Sequence, residues 1–530
     1  MMRTIPYVTW RVALTLLLPT TFTASAMAQE VAIPDPGLNA AVREALPKPA
    51  GPLTTQDLLN LTNLNARNRN VRSVVGLEAA RNLVSLDLQI NRLTNFSLPN
   101  QLTKLATLDV SANPLTNFFL PSGLTNLTSL TIESCELTNL TVPAGLTRLN
   151  NLDLEGNHLS SFDQLSNLTG LVALDLGFNS FASFSLPGGL TNLSTFYFAG
   201  NPLTNVTLPP GMAGMTDLNL SQNLLTSFTL PASMTNLIEL DLFFNQLTNL
   251  TLPADLRNLT ELDLDFNRFT RLSFPSNLTS LGVLHLRANQ FTNFNVPAAL
   301  AELRYLDVSE NPLSNITLPG SLNHLATLRL SKTRLAQLTL PLGLTNLTGL
   351  FLTENQLTNL VLPSDLYHLE SLNVSGNQLT SLTLPAGLSN LVGLFFVANQ
   401  LTNLTLPPDM TQLIGLGFLS NPLATFVLPE TLAATNLAGD VAFLENQGVS
   451  VFTYPLAVQL IRPRPFTGRF QIAIAGPPGA YDVLGSVDLI DWSELGVVTN
   501  LQGRAVFNDV QAHLPPQKFY RALLQSPPAE

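Results

Sequence analysis

At 530 residues the chain is too long for one ordinary core, so it must be several domains or a repeat array. Charged residues make up only 12% and apolar residues 45%, and mean hydropathy is +0.24. Even so, no run of about 18 apolar residues is present to cross a bilayer, and 36 acidic against 25 basic residues (net −11) argue against nucleic acid or an anionic membrane surface as partner.

In chain order, residues 1–28 read as a secretory signal. Arg3 and Arg11 precede the apolar run from Val12 to Leu18, Pro19 breaks it, and Ala26-Met27-Ala28 forms an A-x-A cleavage pattern before Gln29. The other reading is an uncleaved N-terminal anchor, against which the shortness of the apolar run counts. Cleavage would leave 23 basic against 36 acidic residues, a net charge of about −13. Cys135 is the only cysteine, so no intramolecular disulfide can form and an exported chain must rely on packing.

Residues 29–60 are expected to form a helical N-terminal cap. The segment Pro36 to Leu46 has amphipathic helical spacing, and Thr54-Thr55-Gln56-Asp57 offers a helix-start box before Leu58 and Leu59. From 61 to 432 the chain repeats. After a degenerate turn with Arg69 in register, Asn91 recurs every 22 residues as Asn113, Cys135, Asn157 and onward to Asn421, with Thr333 the other exception. Sixteen registers follow without an insertion, reading L-x-x-L-x-L-x-x-N-x-L-T-N-L-T-L-P-x-x-L-T-N.

Each column has a physical meaning. The L-x-L pair, such as Leu86/Leu88, alternates in period two and predicts a short strand with those side chains inward. One strand per turn stacks a parallel sheet with neighbours about 4.8 Å apart. The Asn sits where the chain bends out of the strand, and a buried amide there can bond the backbone of adjacent turns. Cys135 therefore reads as a buried structural residue; a reactive thiol is the lesser reading, as no basic residue adjoins it. The return segment, for example Leu247 to Pro253, alternates Leu and Thr and predicts a short extended piece on the outer wall. Proline closes it in fifteen of sixteen units and Leu165 replaces it in one, which argues against long convex helices.

With L-x-x-L-x-L-x-x-N-x-L intact in most copies, the unit resembles the leucine-rich repeat. Its length and single Asn are similar to the short repeats of exported bacterial internalin-like proteins, and residues 33–60 resemble their N-terminal caps. The resemblance implies a β-rich solenoid: a parallel sheet on the concave face, extended segments on the convex side, a helical cap and a small C-terminal all-β domain. The L-T-L-P segment departs from the helical backs of the ribonuclease-inhibitor type.

Residues 433–461 are expected to close the array, with a helix over Thr431 to Gln447 and a strand over Val449 to Tyr454. Arg462-Pro463-Arg464-Pro465 reads as a linker, and 462–530 as a small β-sandwich-like module with strands near 470–475, 481–486, 504–507 and 518–523. The pattern Tyr481…Ser486-x-Asp488-Leu489-x-x-Trp492 with Phe519-Tyr520-Arg521 resembles a C-terminal module of exported bacterial proteins, implying secretion or surface retention.

The five histidines form no H-E-x-x-H, and neither G-x-S-x-G nor a phosphate-cradling loop occurs, so the chain reads as no enzyme and as needing no cofactor or metal. The many N-x-T matches, such as Asn126-Leu127-Thr128 and Asn403-Leu404-Thr405, are written by the repeat and say little about glycosylation. One concave patch stands out. Asp217, Glu239 and Glu261 form one column, Asp241 and Asp263 the next and Asp265 a third. Tyr197 and Phe243 share their face, with Phe244 and Phe266 at the rim and His285 and Arg287 on the next turn. Like charges so close are unfavourable unless something compensates them, and exposed aromatic clusters mark binding surfaces. A bland reading treats the L-D-L columns as drift. Phe351 and Phe395 make a second, weaker apolar site.

The expectation is a secreted or cell-surface binding scaffold whose concave face recognises a protein or glycan partner. That partner would carry a basic surface, with Ca²⁺ as a less supported ligand. The alternative is a structural or adhesive surface protein without a discrete ligand; an enzyme hidden in the C-terminal module ranks third.

Overall fold

A computed structural model describes residues 29–94, 97–466, 469–510 and 517–525; the signal segment lies outside them. The helices of the N-terminal region form as their local chemistry dictates. α1 (Pro36–Ala45) has proline in its first turn, and the Asp35 carboxylate accepts the Leu38 N–H at 3.0 Å. The same carboxylate accepts Arg72 N–H at 2.7 Å and Ser73 N–H at 3.2 Å, tying the helix to the first turn of the array. α2 (Thr55–Leu59) opens on a complete Thr54/Asp57 capping box. Leu38, Val42 and Leu58, wholly buried, join the array's core, which runs without a break from Ile33 to Val449.

The array itself is a seventeen-stranded sheet of three-residue strands, from Asn63–Asn65 to Gly415–Gly417, paired parallel at a constant offset of 22 residues. Inward leucines such as Leu240 and Leu262 are 0–1% exposed, while the flanking residues of each strand face the concave surface.

The Asn column is a hydrogen-bond ladder. Asn245 Nδ2 donates to Leu220 O at 2.9 Å and Leu242 O at 3.2 Å, and its Oδ1 accepts the Leu225 N–H at 3.1 Å. At the two exceptions the backbone compensates. The Leu115 N–H, which an Asn at 135 would receive, turns to Asn113 O at 2.8 Å; before Thr333, Leu313 N–H turns to Asn311 O at 2.8 Å. Cys135 is buried, and its Sγ lies 3.6 Å from Val110 O, where an Asn amide would donate. A second, exposed ladder was not foreseen: amides such as Asn126 and Asn390 donate to the carbonyls of Thr103 and Tyr367 in the turn before. Asn126 belongs to one of the N-x-T matches, so that match serves the stacking.

Immediately before each ladder residue the backbone enters the left-handed region, with φ of 53° at Phe244, 55° at Phe266 and 55° at Ile90. Glycine holds this position at 156, 200 and 376. For other residues the conformation costs about 1–2 kcal/mol, offset by the bond it aims into the next turn, such as Phe244 N–H to Asp265 O at 2.9 Å. With no glycine column to mark it, the sequence does not reveal this turn.

The convex side carries short parallel pairs, such as Ser227–Thr229 with Asn249–Thr251 and Asn293–Asn295 with Asn315–Thr317. Where Leu165 replaces proline the chain instead makes a 3-10 helix, Asp163–Asn167; the degenerate first turn, also without proline there, makes another, Leu77–Ala79. Proline's fixed φ and the extended bias it places on its predecessor keep the other turns open.

After the last concave strand, α3 (Glu430–Ala434) and α4 (Ala438–Asn446) divide the expected helix in two. The strand Ser450–Tyr454 then adds in parallel to Thr425–Pro429. Tyr454 is buried and its hydroxyl donates to Leu406 O at 2.7 Å. The expected linker at Arg462–Pro465 is instead part of the strand Gln459–Phe466, paired antiparallel with Arg469–Ala475 and bulged between Ile461 and Arg464. An edge strand tolerates prolines because its outer N–H positions need no partner. Two three-stranded antiparallel sheets follow, with Ile474, Tyr481 and Val483 buried in a separate core. The strand Ser493–Asn500 is an addition to those expected. Gly503 sits hard against the array's end: a Cβ there would lie 2.8 Å from Thr453 O.

Candidate functional site

The strand register decides which carboxylates meet. Asp217, Glu239 and Glu261 stand opposite one another on adjacent strands, and so do Tyr197, Asn219, Asp241, Asp263 and His285. Together these two columns floor a concave depression of about 210 Å³ lined by Tyr197, Asp217, Asn219, Glu239, Asp241, Glu261 and Asp263. Tyr197 is 40% exposed at its edge. Asn219, which carries no charge and was not singled out, sits between Tyr197 and Asp241; its column position is the signal that would have found it.

The carboxylates are held in an uncomfortable state. Burial raises the pKa of Asp241 and Asp263, opposed by the backbone N–H groups of Phe243 (2.9 Å) and Asp265 (2.8 Å). Glu239 is raised by burial and then by the charges of Glu261, Asp217 and Asp241. Tyr197 moves up too, by burial and the negative field. No ion pair engages Asp217, Glu239, Asp241, Glu261 or Asp263 among the described residues.

Asp265 and Phe243 lie beside the depression rather than in it. Asp265 is only 9% exposed, its Oδ1 accepts the Arg287 N–H at 2.5 Å, and burial followed by repulsion from Asp263 pushes its pKa up to about 8. Phe243 packs with Phe244 and Phe266 in a triangle with ring centroids 5.6–6.1 Å apart, and the Arg287 guanidinium lies 5.3 Å from the Phe266 ring. Phe244 is 57% exposed, so this cluster is a ridge along the acidic floor.

Among the described residues, two groups of side chains bring donor atoms within 4.8 Å of one another: Asp263, Asp265 and His285, and Asp153, Glu155 and Asp175. The first mixes a nitrogen with two carboxylates; the second is all oxygen, and burial, ahead of neighbouring charges, raises Asp175 to about 7. Each supplies three ligands on an open sheet, whereas Ca²⁺ takes six to eight oxygens. Burial pushes the Cys135 thiol up to about 11, the state of an inert structural cysteine.

A family model described as BspA-type leucine-rich-repeat region, in six copies, matches residues 88–171, 177–284, 264–373 and 330–445. Among solved structures, YopM from Yersinia enterocolitica WA-314 is 26% identical, with 73% of this chain and 87% of that chain covered at a TM-score of 0.54. The functional domain of InlJ from Listeria monocytogenes, which includes a cysteine ladder, is 21% identical over 84% of this chain and 94% of that one, at a TM-score of 0.51. No curated protein sequence matches the chain. No helix among the described residues is long and apolar enough to cross a membrane.

Proposed function

Since the chain belongs to the BspA-type leucine-rich-repeat family, we propose that it is a non-enzymatic binding scaffold, exported to the cell surface or beyond, whose concave face takes a protein partner through a basic segment. The observation that carries this reading is the depression over Asp217, Glu239, Asp241, Glu261 and Asp263, whose carboxylates crowd two adjacent columns with no ion pair to any of them among the described residues and only His285 beside Asp263 as a basic neighbour on that column. A basic side chain entering it would relieve repulsion already present in the free protein, and the Phe243–Phe244–Phe266 ridge would add desolvated contact. A surface of exposed charges also speeds encounter with a basic partner and weakens as salt rises.

The test replaces Asp241 and Asp263 by Asn together. Folding should survive, because Asn219 and Asn373 already occupy this column and accept the same backbone N–H, from Ser221 at 2.9 Å and Ser375 at 3.1 Å. Binding of a lysine-rich decapeptide by the full chain should weaken, and its salt dependence should flatten. Unchanged affinity and slope would remove the patch from consideration. Binding spread evenly along the array would favour a structural or adhesive role instead.

A further inference from the structure

Beyond Asp307 the concave face changes character. Over the five strands from Thr327–Arg329 to Gly415–Gly417, one concave-face column reads Thr327, Gly349, Ser371, Gly393, Gly415 and its neighbour reads Arg329, Phe351, Asn373, Phe395, Gly417. Neither column contains an acid. The glycines are what allow the phenylalanines to lie down. A Cβ built on Gly393 would be 2.8 Å from Phe395 Cε2, one on Gly417 2.7 Å from Cδ1, and one on Gly415 3.4 Å from Cζ. Three edges of one ring thus occupy the layer that side-chain β-carbons would fill, so the Phe395 ring lies flat on the sheet with its outer face free. Phe351 covers Gly349 in the same way, at 2.8 Å. Gly349 and Gly393 are buried as a result, while both rings remain partly exposed.

Arg329 adds a charge to this floor. Its guanidinium carbon lies 4.4 Å from the Phe351 ring centroid. It makes no ion pair among the described residues, and its Nε is buried without a hydrogen-bond partner. The nearest acid along the column, Asp307, is buried and accepts the Ser309 N–H at 2.8 Å. A stacked guanidinium without a partner is a preorganised carboxylate receptor.

We propose that this strip binds an acidic glycan built of uronic acid units, the C–H face of one pyranose ring stacking on Phe395 and a ring carboxylate pairing with Arg329. Flat aromatic faces level with their surroundings suit the broad, weakly apolar face of a sugar ring better than a protruding apolar side chain, which calls for a pocket. Phe395 and the Arg329–Phe351 stack are two strand spacings apart, about 9.6 Å, which is about the length of a disaccharide, so the ring on Phe395 and the carboxylate at Arg329 belong to different units of one chain. Asn373, between them, supplies an amide to bond a hydroxyl, with one acceptor site already used by Ser375 N–H. The site is separate from the acidic depression and opposite to it in charge, so each can fail without the other.

Titration calorimetry of the full chain with tetramers of galacturonate, glucuronate and mannuronate, and with their methyl esters, tests the proposal. At least one free-acid tetramer should bind, and its methyl ester should bind about tenfold more weakly or worse, the loss of one charge-assisted contact. Arg329→Gln should cost the acid a similar factor and leave the ester unaffected. Phe395→Ala should weaken both. Gly393→Ala keeps every ligand-facing side chain yet lifts the Phe395 ring, so it should weaken both as well, while circular dichroism and thermal midpoint stay near the parent's. Asp241→Asn with Asp263→Asn should leave glycan affinity intact. Failure of every uronate tetramer to bind, or binding indifferent to both Arg329→Gln and Phe395→Ala, would overturn the proposal. So would a peptide carboxylate that binds through these residues where no uronate does.

Discussion

Replacing Asn245 by alanine removes the carboxamide from the middle of the ladder, and the neighbouring bonds show what that leaves behind. Leu220 O keeps the Asn223 amide at 3.0 Å, Leu242 O keeps the Asn267 amide at 2.9 Å, and Phe243 O keeps the Gln222 N–H at 2.7 Å. Only the Leu225 N–H, which donates to Asn245 Oδ1, is left buried and without an acceptor. One orphaned buried donor costs about 1–3 kcal/mol. The structure also shows the escape route, since Leu115 and Leu313 N–H have turned to carbonyls of their own turn where the ladder lacks Asn. Asn249 offers the control: it is exposed on the convex strand, and its loss should stay within about 0.5 kcal/mol. Urea denaturation of both variants gives the comparison, and amide exchange at Leu225 reports the local opening directly. A repeat array need not unfold in one step, so the exchange rate is the stricter readout. Equal losses for the two variants, with Leu225 no more exposed to exchange, would show that the ladder does not carry the stacking.

Cys135→Asn should be neutral to stabilising, by at most about 1.5 kcal/mol, because the new amide can share Val110 O with Asn113, as the other ladder residues share theirs, and can draw the Leu115 N–H back from Asn113 O; a lower denaturation midpoint would contradict this. Native Cys135 should resist thiol reagents until the array unfolds, since burial holds it near pKa 11. Asp265 has its folded pKa raised from 3.8 to about 8, so its contribution is fully present below about pH 4 and is lost as pH rises through 8. Thermal midpoints should fall across that window and Asp265→Asn should flatten the fall; a steeper fall in the variant would reverse the assignment. Limited proteolysis should cut first in the exposed stretch Leu456 to Val458 rather than at Arg462–Pro465, which is held in a strand. Gly503→Val should then speed that cut, because the added side chain collides with Thr453 and Tyr454; an unchanged rate would mean the C-terminal module is not seated there.

The concave sheet was legible because leucines at period two and asparagines at period 22 record burial and backbone satisfaction directly, and both must recur in every turn. The left-handed residue before each Asn was not, because Phe244, Gln222 and Glu310 adopt it as readily as Gly200 when the next turn rewards it with a hydrogen bond. Asp217, Glu239 and Glu261 could be placed in one column by counting alone. Counting could not tell that Asp265, two residues past the strand, turns inward to a backbone N–H while Asp263 stays at the surface. The prolines at 463 and 465 suggested a linker, since an edge strand and a free segment tolerate proline alike. Phe395 was visible as an exposed aromatic, but its posture depends on Gly393, Gly415 and Gly417, two of them on the next strand.

The two walls of the array are joined in different ways. The concave wall is one uninterrupted hydrogen-bonded sheet, spanning sixteen strand spacings or roughly 75 Å along its arc. The convex wall is a series of separate small patches, broken at the 3-10 helix Asp163–Asn167 and at several other turns. Bending that closes the concave face would therefore stretch a side with few bonds to break, whereas straightening would strain the continuous sheet. The asymmetry predicts that curvature varies mainly by opening or closing the convex side, turn by turn, while the strand spacing of the concave floor stays set by its continuous sheet.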